Sequence, residues 1–277
     1  MKSSAENTGS LAFEWPAPDI ALLRLTRGAE MNTITLEFMA ELDSSLSRMA
    51  DTPPRALIVT GQDNVFCGGA FIKYFTEAAS PLVGNSRAIR EVYVRRIQEA
   101  FRRLRLLPCP TIAAINGHAF GGGLELALHC DFRLISRSAR CGLTEVGLGA
   151  VAGAGGVQQL HRIVGRAKAL ESVLLGRRMT AEEAVQAGLV TAVSEPEALE
   201  SDALAFAQRF LELSPISVAE SKRAIYRTEV MDMDAADEVA LDAVDIAAAG
   251  PDWAEGMTAF AQKRPPDFPG LTRKDGK

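Results

Sequence analysis

A chain of 277 residues, 47% hydrophobic and 23% charged, has the make-up of a globular protein with one large α/β core, alone or with an appendage. Its net charge of −5 supplies no overall basic field, so a nucleic-acid partner is not expected. The cysteines Cys67, Cys109, Cys130 and Cys141 show no CxxC spacing and the histidines His118, His129 and His161 form no ligand motif, so buried, reduced thiols and no metal site are expected.

Residues 1–10 are polar and lack an apolar h-region, which points to disorder rather than to a secretory signal. Strands are expected at 11–15 and 20–25, separated by Pro16, Pro18 and Asp19 and able to pair as a hairpin. Thr35 is placed to cap a helix in which Leu36, Met39, Leu42, Leu46 and Met49 fall on one face, stopped by Pro53-Pro54. A buried strand is expected at 56–60, followed by a Gly-rich turn at 66–73. Residues 74–85, carrying Pro81 and Gly84, read as a mobile loop. A helix follows over 86–107. Its arginines alternate with Glu91, Glu99 and apolar positions, as on a solvated face.

The run 110–128 is the centre of the chain. Its first part is a short apolar segment between Pro110 and Gly117, a buried strand; its last part, from Leu124, is strongly helix-forming. Between them stand Gly121, Gly122 and Gly123. Such a junction leaves free N–H groups that can hold an anion or a developing oxyanion. Another strand is expected at 131–136. Residues 141–156 hold six glycines in 16 positions, interleaved with Leu143, Val146, Leu148 and Val151, and read as a tightly folded loop. Helices at 157–164 and 167–175, a helix at 181–187 capped by Thr180, and a last strand at 189–193 complete a core over 11–196. From 197 to 277 only helices are expected: 197–213, 215–228, 234–248 and 252–262. The alternation in the first two-thirds implies right-handed crossovers and parallel strands. No stretch reaches the roughly 18 apolar residues of a membrane span, so a cytoplasmic protein without a membrane partner is the simplest reading.

Glu125 and Glu145 each sit in Gly-rich, apolar surroundings. Burial would raise both pKa values and poise the pair for acid–base work; the plainer alternative is that each anchors a helix end or a loop. No GxxxxGK[ST] occurs, no GxGxxG opens a helix in a dinucleotide context, and no GxSxG is present. The two turns 68–71 and 121–123 remain as backbone donors that could converge on one oxygen.

Four ordered motifs resemble the crotonase (enoyl-CoA hydratase/isomerase) superfamily over about residues 20–268. They are Phe66-Cys67-Gly68-Gly69-Ala70-Phe71-Ile72-Lys73, the stretch from Ala113 through Gly121-Gly122-Gly123-Leu124-Glu125, the stretch from Glu145 through Gly153-Ala154-Gly155-Gly156, and Glu255-Gly256 through Phe260, Lys263 and Arg264. The resemblance implies an α/β fold of repeated ββα turns (a crotonase-like superhelix) with a helical C-terminal region that forms trimers, often paired into hexamers. It implies an acyl-CoA substrate, with coenzyme A arriving as part of it and no separate cofactor. Ala70 and Gly122 would donate their N–H groups to the thioester oxygen. Glu125 and Glu145 match the two glutamates of the hydratases, implying addition of water to a 2-enoyl-CoA. Lys73, Phe260 and Lys263 match positions near the CoA nucleotide. Isomerase, hydrolase, decarboxylase or C–C lyase chemistry through the same enolate is the alternative, and a non-catalytic CoA-binding scaffold is another. Three positions depart from the pattern. Phe71 stands where the motif has Asp, and Thr144 and Ala152 stand where it has Pro.

Overall fold

The computed structural model describes residues 6–7 and 9–270. It opens with β1 (Glu6–Asn7), β2 (Leu11–Ala17) and β3 (Ile20–Leu25), paired antiparallel in turn. The disorder expected over 1–10 therefore does not hold at Glu6 and Asn7. The free edge of β2 offers them backbone partners at Phe13 and Ala12. Residues 1–5 and 8 lie outside the described residues. α1 (Leu36–Asp51) begins where expected, with the Thr35 hydroxyl accepting the Phe38 N–H at 3.0 Å, and it buries Phe38, Met39, Leu42 and Leu46.

Three successive turns of chain then share one plan. Each lays a strand in a large sheet, a three-residue strand in a small sheet, and then one or more helices. In the first turn, β4 (Ala56–Gly61) and β5 (Val65–Cys67) lead to α2 (Lys73–Thr76), α3 (Ser86–Ala88), a π-helical stretch Ile89–Val94 and α4 (Arg95–Arg105). In the second, β6 (Thr111–Ile115) and β7 (His118–Phe120) lead to α5 (Gly122–Leu128). In the third, β8 (Phe132–Ser136) and β9 (Arg140–Gly142) lead through a 3-10 turn, Glu145–Leu148, to α6 (Gly156–Val164) and α7 (Arg166–Leu174). The chain continues with β10 (Met179–Thr180), α8 (Ala181–Gln186), β11 (Ala192–Ser194), α9 (Leu199–Gln208), α10 (Pro215–Thr228), α11 (Met233–Ala249) and α12 (Pro251–Gln262).

The large sheet has the order β1-β2-β3-β4-β6-β8-β11, parallel from β3 onward; the small one has the order β10-β9-β7-β5, with β5, β7 and β9 parallel. The central strands β4 and β6 are buried on both faces, so alternate residues enter different cores. Leu57, Val59, Ala113 and Ile115 face the main core, while Ala56, Ile58, Ile112 and Ala114 pack beneath Leu199, Ala203 and Ala207 of α9. α9 is thus a second layer on the sheet, and α10 and α12 each pack on α11. Lys222 of α10 ties this group back, bonding Asp131 Oδ2 at 2.7 Å and the Cys109 carbonyl at 2.8 Å, and Tyr226 donates to Asp131 Oδ1 at 2.6 Å.

Three further expectations are corrected. Residues 74–85 are folded into hydrogen-bonded turns around buried Leu82, because one well-placed apolar side chain anchors the segment despite Pro81 and Gly84. The last strand lies three residues later than 189, at Ala192–Ser194; Leu189 and Val190 are buried before pairing begins. The helix expected to reach 107 ends at Arg105 and contains the π-helical stretch. No helix of the described residues is long and apolar enough to cross a membrane.

Candidate active site

The C-terminal ends of β5 and β7 lie side by side in the small sheet, and the two Gly-rich turns leave from them. At the first turn, Gly69 has φ +96°, a conformation side chains rarely adopt, and a Cβ there would meet the Phe120 carbonyl at 2.7 Å and the Gly122 nitrogen at 3.1 Å. At the second turn all three glycines have close neighbours, and at Gly123 the neighbour is backbone that cannot yield. A Cβ on Gly121 would stand 2.9 Å from Glu145 Oε1, one on Gly122 would stand 2.7 Å from Ile34 Cδ1, and one on Gly123 would stand 2.0 Å from the Cys67 carbonyl. The two turns are therefore pressed together backbone to backbone. Neither the Ala70 nor the Gly122 N–H has a hydrogen-bond partner among the described residues.

Both acids border these donors. Glu125 lies in the first turn of α5 and is only 4% exposed. Its Oε1 accepts the Gly156 N–H at 2.8 Å. Burial pushes its carboxyl up to about 7, against the pull of that N–H and with a further push from the charge of Glu145. Glu145 opens the 3-10 turn, half-buried against Gly121, and burial raises its carboxyl too. Its Oε2 is buried with no hydrogen-bond partner among the described residues. The four residues Ala70, Gly122, Glu125 and Glu145 thus meet in one place. Two free donors beside two carboxyls that burial raises, Glu125 to about 7, can receive a carbonyl oxygen, stabilise charge on it and exchange protons at neighbouring atoms.

The support around Glu125 comes from residues the sequence did not single out. His129 Nδ1 bonds the Glu125 carbonyl at 2.8 Å; since a carbonyl only accepts, Nδ1 carries the proton. Burial pushes His129 down to about 4, so the ring is neutral. It lies directly beneath Gly155, where a Cβ would come within 2.1 Å of its Cε1. Gln98 Nε2 holds the Gly153 carbonyl at 2.7 Å from the other side. Together they fix the loop that gives Gly156 to Glu125. This loop is also held by its own backbone bonds, with no proline at 144 or 152. The Ala150 N–H bonds the Glu145 carbonyl at 3.0 Å, and Ala152 is buried.

The three remaining site candidates are not gathered here within one chain. Lys73 is exposed and pairs with Glu77 at 3.7 Å. Phe260 is 85% exposed and so is no core residue, and Lys263 ends α12 in the left-handed region at φ +53°; α12 packs on α11. All four cysteines are buried and unpaired, and among the described residues no three His, Cys, Asp or Glu side chains gather as a metal-ligand set.

A profile of the enoyl-CoA hydratase/isomerase family matches residues 17–271. The chain belongs to this family, and the repeated strand–strand–helix turns are the crotonase fold. It is 35% identical over 251 residues to a crotonyl-CoA hydratase of Syntrophomonas wolfei, covering 90% of this chain and 94% of that one. It is likewise 35% identical over 247 residues to a short-chain-enoyl-CoA hydratase of Clostridium acetobutylicum, covering 88% and 92%. An enoyl-CoA hydratase from Bacillus anthracis superposes with a TM-score of 0.88 at 34% identity, covering 94% of this chain and 99% of that one. Crotonase-type chemistry on an acyl-CoA is the activity class these relatives support.

Proposed function

We propose that the protein is an enoyl-CoA hydratase that adds water across the 2,3 double bond of a 2-enoyl-CoA. The observation that carries this reading is the placement of two acids whose carboxyls burial raises, Glu125 and Glu145, against one pair of free backbone donors. The thioester oxygen accepts from the Ala70 and Gly122 N–H groups, which draws electrons out of the conjugated bond and makes Cβ electrophilic. The two carboxyls hold the water. One, ionised, takes a proton as the water oxygen bonds Cβ; the other, protonated, gives its proton to Cα of the enolate as the charge on oxygen collapses. Each acid ends in the other's starting state, and water exchange resets the pair. Glu125, pushed up to about 7 by burial, with the Glu145 carboxyl raised beside it, is suited to this exchange. Coenzyme A enters as part of the substrate, and no further cofactor is required.

Lys73, Phe260 and Lys263 are proposed to meet the CoA portion. For the two residues of α12 this requires assembly into the trimer, or pair of trimers, that the family resemblance implies. α10–α12 expose Ile225, Met233, Leu241, Val244, Trp253 and Met257, apolar surface that association would cover. Sedimentation of the intact protein tests this part.

The reaction is tested by following loss of the conjugated enoyl-thioester absorbance with short, medium, branched and aromatic 2-enoyl-CoAs. Glu125→Gln and Glu145→Gln are each expected to lower kcat by about 100-fold or more while leaving CoA-thioester binding in place. Full hydration by Glu125→Gln with none by Glu145→Gln would replace the two-acid mechanism with a single-acid one. Products of isomerisation, hydrolysis or chain cleavage by mass would move the protein to another reaction of the family.

A further inference from the structure

Buried Tyr93 touches neither of the two acids through its hydroxyl. It lies in the π-helical stretch Ile89–Val94 and is 2% exposed. Such stretches interrupt a helix at a cost in regularity and often re-aim a side chain at a functional site. Its ring packs edge-on against Phe75 at 5.4 Å and Tyr74 at 5.8 Å. Its hydroxyl, at the far end, donates to the Ile34 carbonyl at 2.6 Å and accepts the Phe71 N–H at 3.2 Å.

One of those bonds holds the peptide just after Ala70, and Ile34 itself holds the one just before it. The Ile34 N–H donates to the Gly69 carbonyl at 2.8 Å. The Gly69 carbonyl and the Ala70 N–H belong to one planar peptide unit and point in opposite directions, so holding the first aims the second. The next peptide unit presents the Phe71 N–H, and the Tyr93 hydroxyl holds that. The Ile34 backbone therefore grips both peptide planes that meet at Ala70, one directly and one through the phenol. The Ala70 N–H is left free between the two grips. Phe71 itself brings no polar anchor to the turn; its ring packs on Tyr74 at 5.0 Å. The tie that a carboxylate at position 71 could make is instead made by a hydroxyl that reaches in from the helix.

We infer that Tyr93 is a positioning residue for the Ala70 half of the oxyanion hole, its hydroxyl fixing the Gly69–Phe71 turn so that the Ala70 N–H meets the thioester oxygen. This rests on the hydratase reading for the reaction, but on the donors alone for its spectroscopic consequence. The test compares Tyr93→Phe with Tyr74→Phe. Each keeps its ring and deletes one hydroxyl; Tyr74 accepts the Leu36 N–H at 3.3 Å and holds neither plane at Ala70. In Tyr93→Phe, kcat should fall by about 10- to 100-fold with KM nearly unchanged, since a misaimed donor costs rate more than binding. The red shift that bound cinnamoyl-CoA undergoes when its carbonyl is polarised should shrink in the same variant. Tyr74→Phe should keep both the rate and the shift.

Equal losses in the two variants would reduce Tyr93 to a packing residue, and a normal rate and shift in Tyr93→Phe would overturn the proposal. If the unsubstituted protein hydrates no enoyl-CoA yet shifts the probe, the reaction reading fails and the Tyr93 comparison still stands on the spectrum. No shift in the unsubstituted protein would overturn the oxyanion hole and this proposal together. Residue-resolved amide exchange supplies a readout needing no variant: the Phe71 N–H should be protected, and the Ala70 N–H should become protected only on thioester binding. A freely exchanging Phe71 N–H would count against the tie.

Discussion

Glu125 carries its proton to higher pH in the folded protein than in the unfolded chain, and the sign of the consequence follows. An unfolded glutamate titrates near 4.3, the folded one at about 7. The folded state therefore binds the extra proton between those values, and stability falls as pH rises through that window. Glutamine cannot ionise, and its carbonyl still accepts the Gly156 N–H. Denaturant unfolding should accordingly show Glu125→Gln gaining on the unsubstituted protein between pH 4.5 and 7.5, by on the order of 3 kcal/mol at most, and no further above that. A difference independent of pH would mean that the carboxyl is not held protonated. The two acids were legible in the sequence because carboxylates among glycines and aliphatic residues have few ways to be solvated. Tyr93 was not, since the reading of its helix followed the arginines. The spacing of Tyr93, Ile97, Ala100 and Leu104 marks the buried face, and a phenol on it needs partners for its hydroxyl.

Among the elements, those with local chemistry were readable. Thr35 caps α1, and Thr180 with Glu183 forms a capping box on α8. The strands β5, β7 and β9 were not, because three residues are too few to show a period. Yet these three strands bring the glycine turns together. Their closeness makes Gly123 the least replaceable position of the run: a Cβ would lie 2.0 Å from the Cys67 carbonyl, backbone against backbone, with no flexible group to yield. Gly123→Ala should separate β5 from α5 and abolish either folding or all turnover, seen as loss of the cooperative melt or of hydration. An active variant with an unchanged melt would contradict the packing described here. Gly147→Ala meets nothing within 4 Å and should be tolerated.

For the whole molecule, the helical end of the chain is tied to the core at Asp131. One carboxylate takes the Thr111 N–H and hydroxyl, the Lys222 ammonium and the Tyr226 hydroxyl. Asp131→Ala leaves the Lys222 charge in a largely buried place without its counter-ion and should cost about 3–5 kcal/mol in denaturant unfolding. Replacing Lys222 by Met as well should recover much of that loss, whereas an unrecovered loss would place the effect in Thr111 and Tyr226. The parallel sheet and the helical end were both expected from the order of elements. This clamp was not, since 91 positions separate Asp131 from Lys222 in a sequence with no pairing signal between them. The small sheet has one more consequence. Ala70 and Gly122 follow strands that are immediate neighbours, so the two donor turns leave the small sheet one strand spacing apart, about 4.8 Å. That starting distance is gauged by the pitch of the backbone, the same in every sheet, and side chains such as Tyr93 then aim the donor that leaves it. The surroundings can be rewritten, with Phe71 for a carboxylate and a loop without its prolines, while the two turns still spring from adjacent strands.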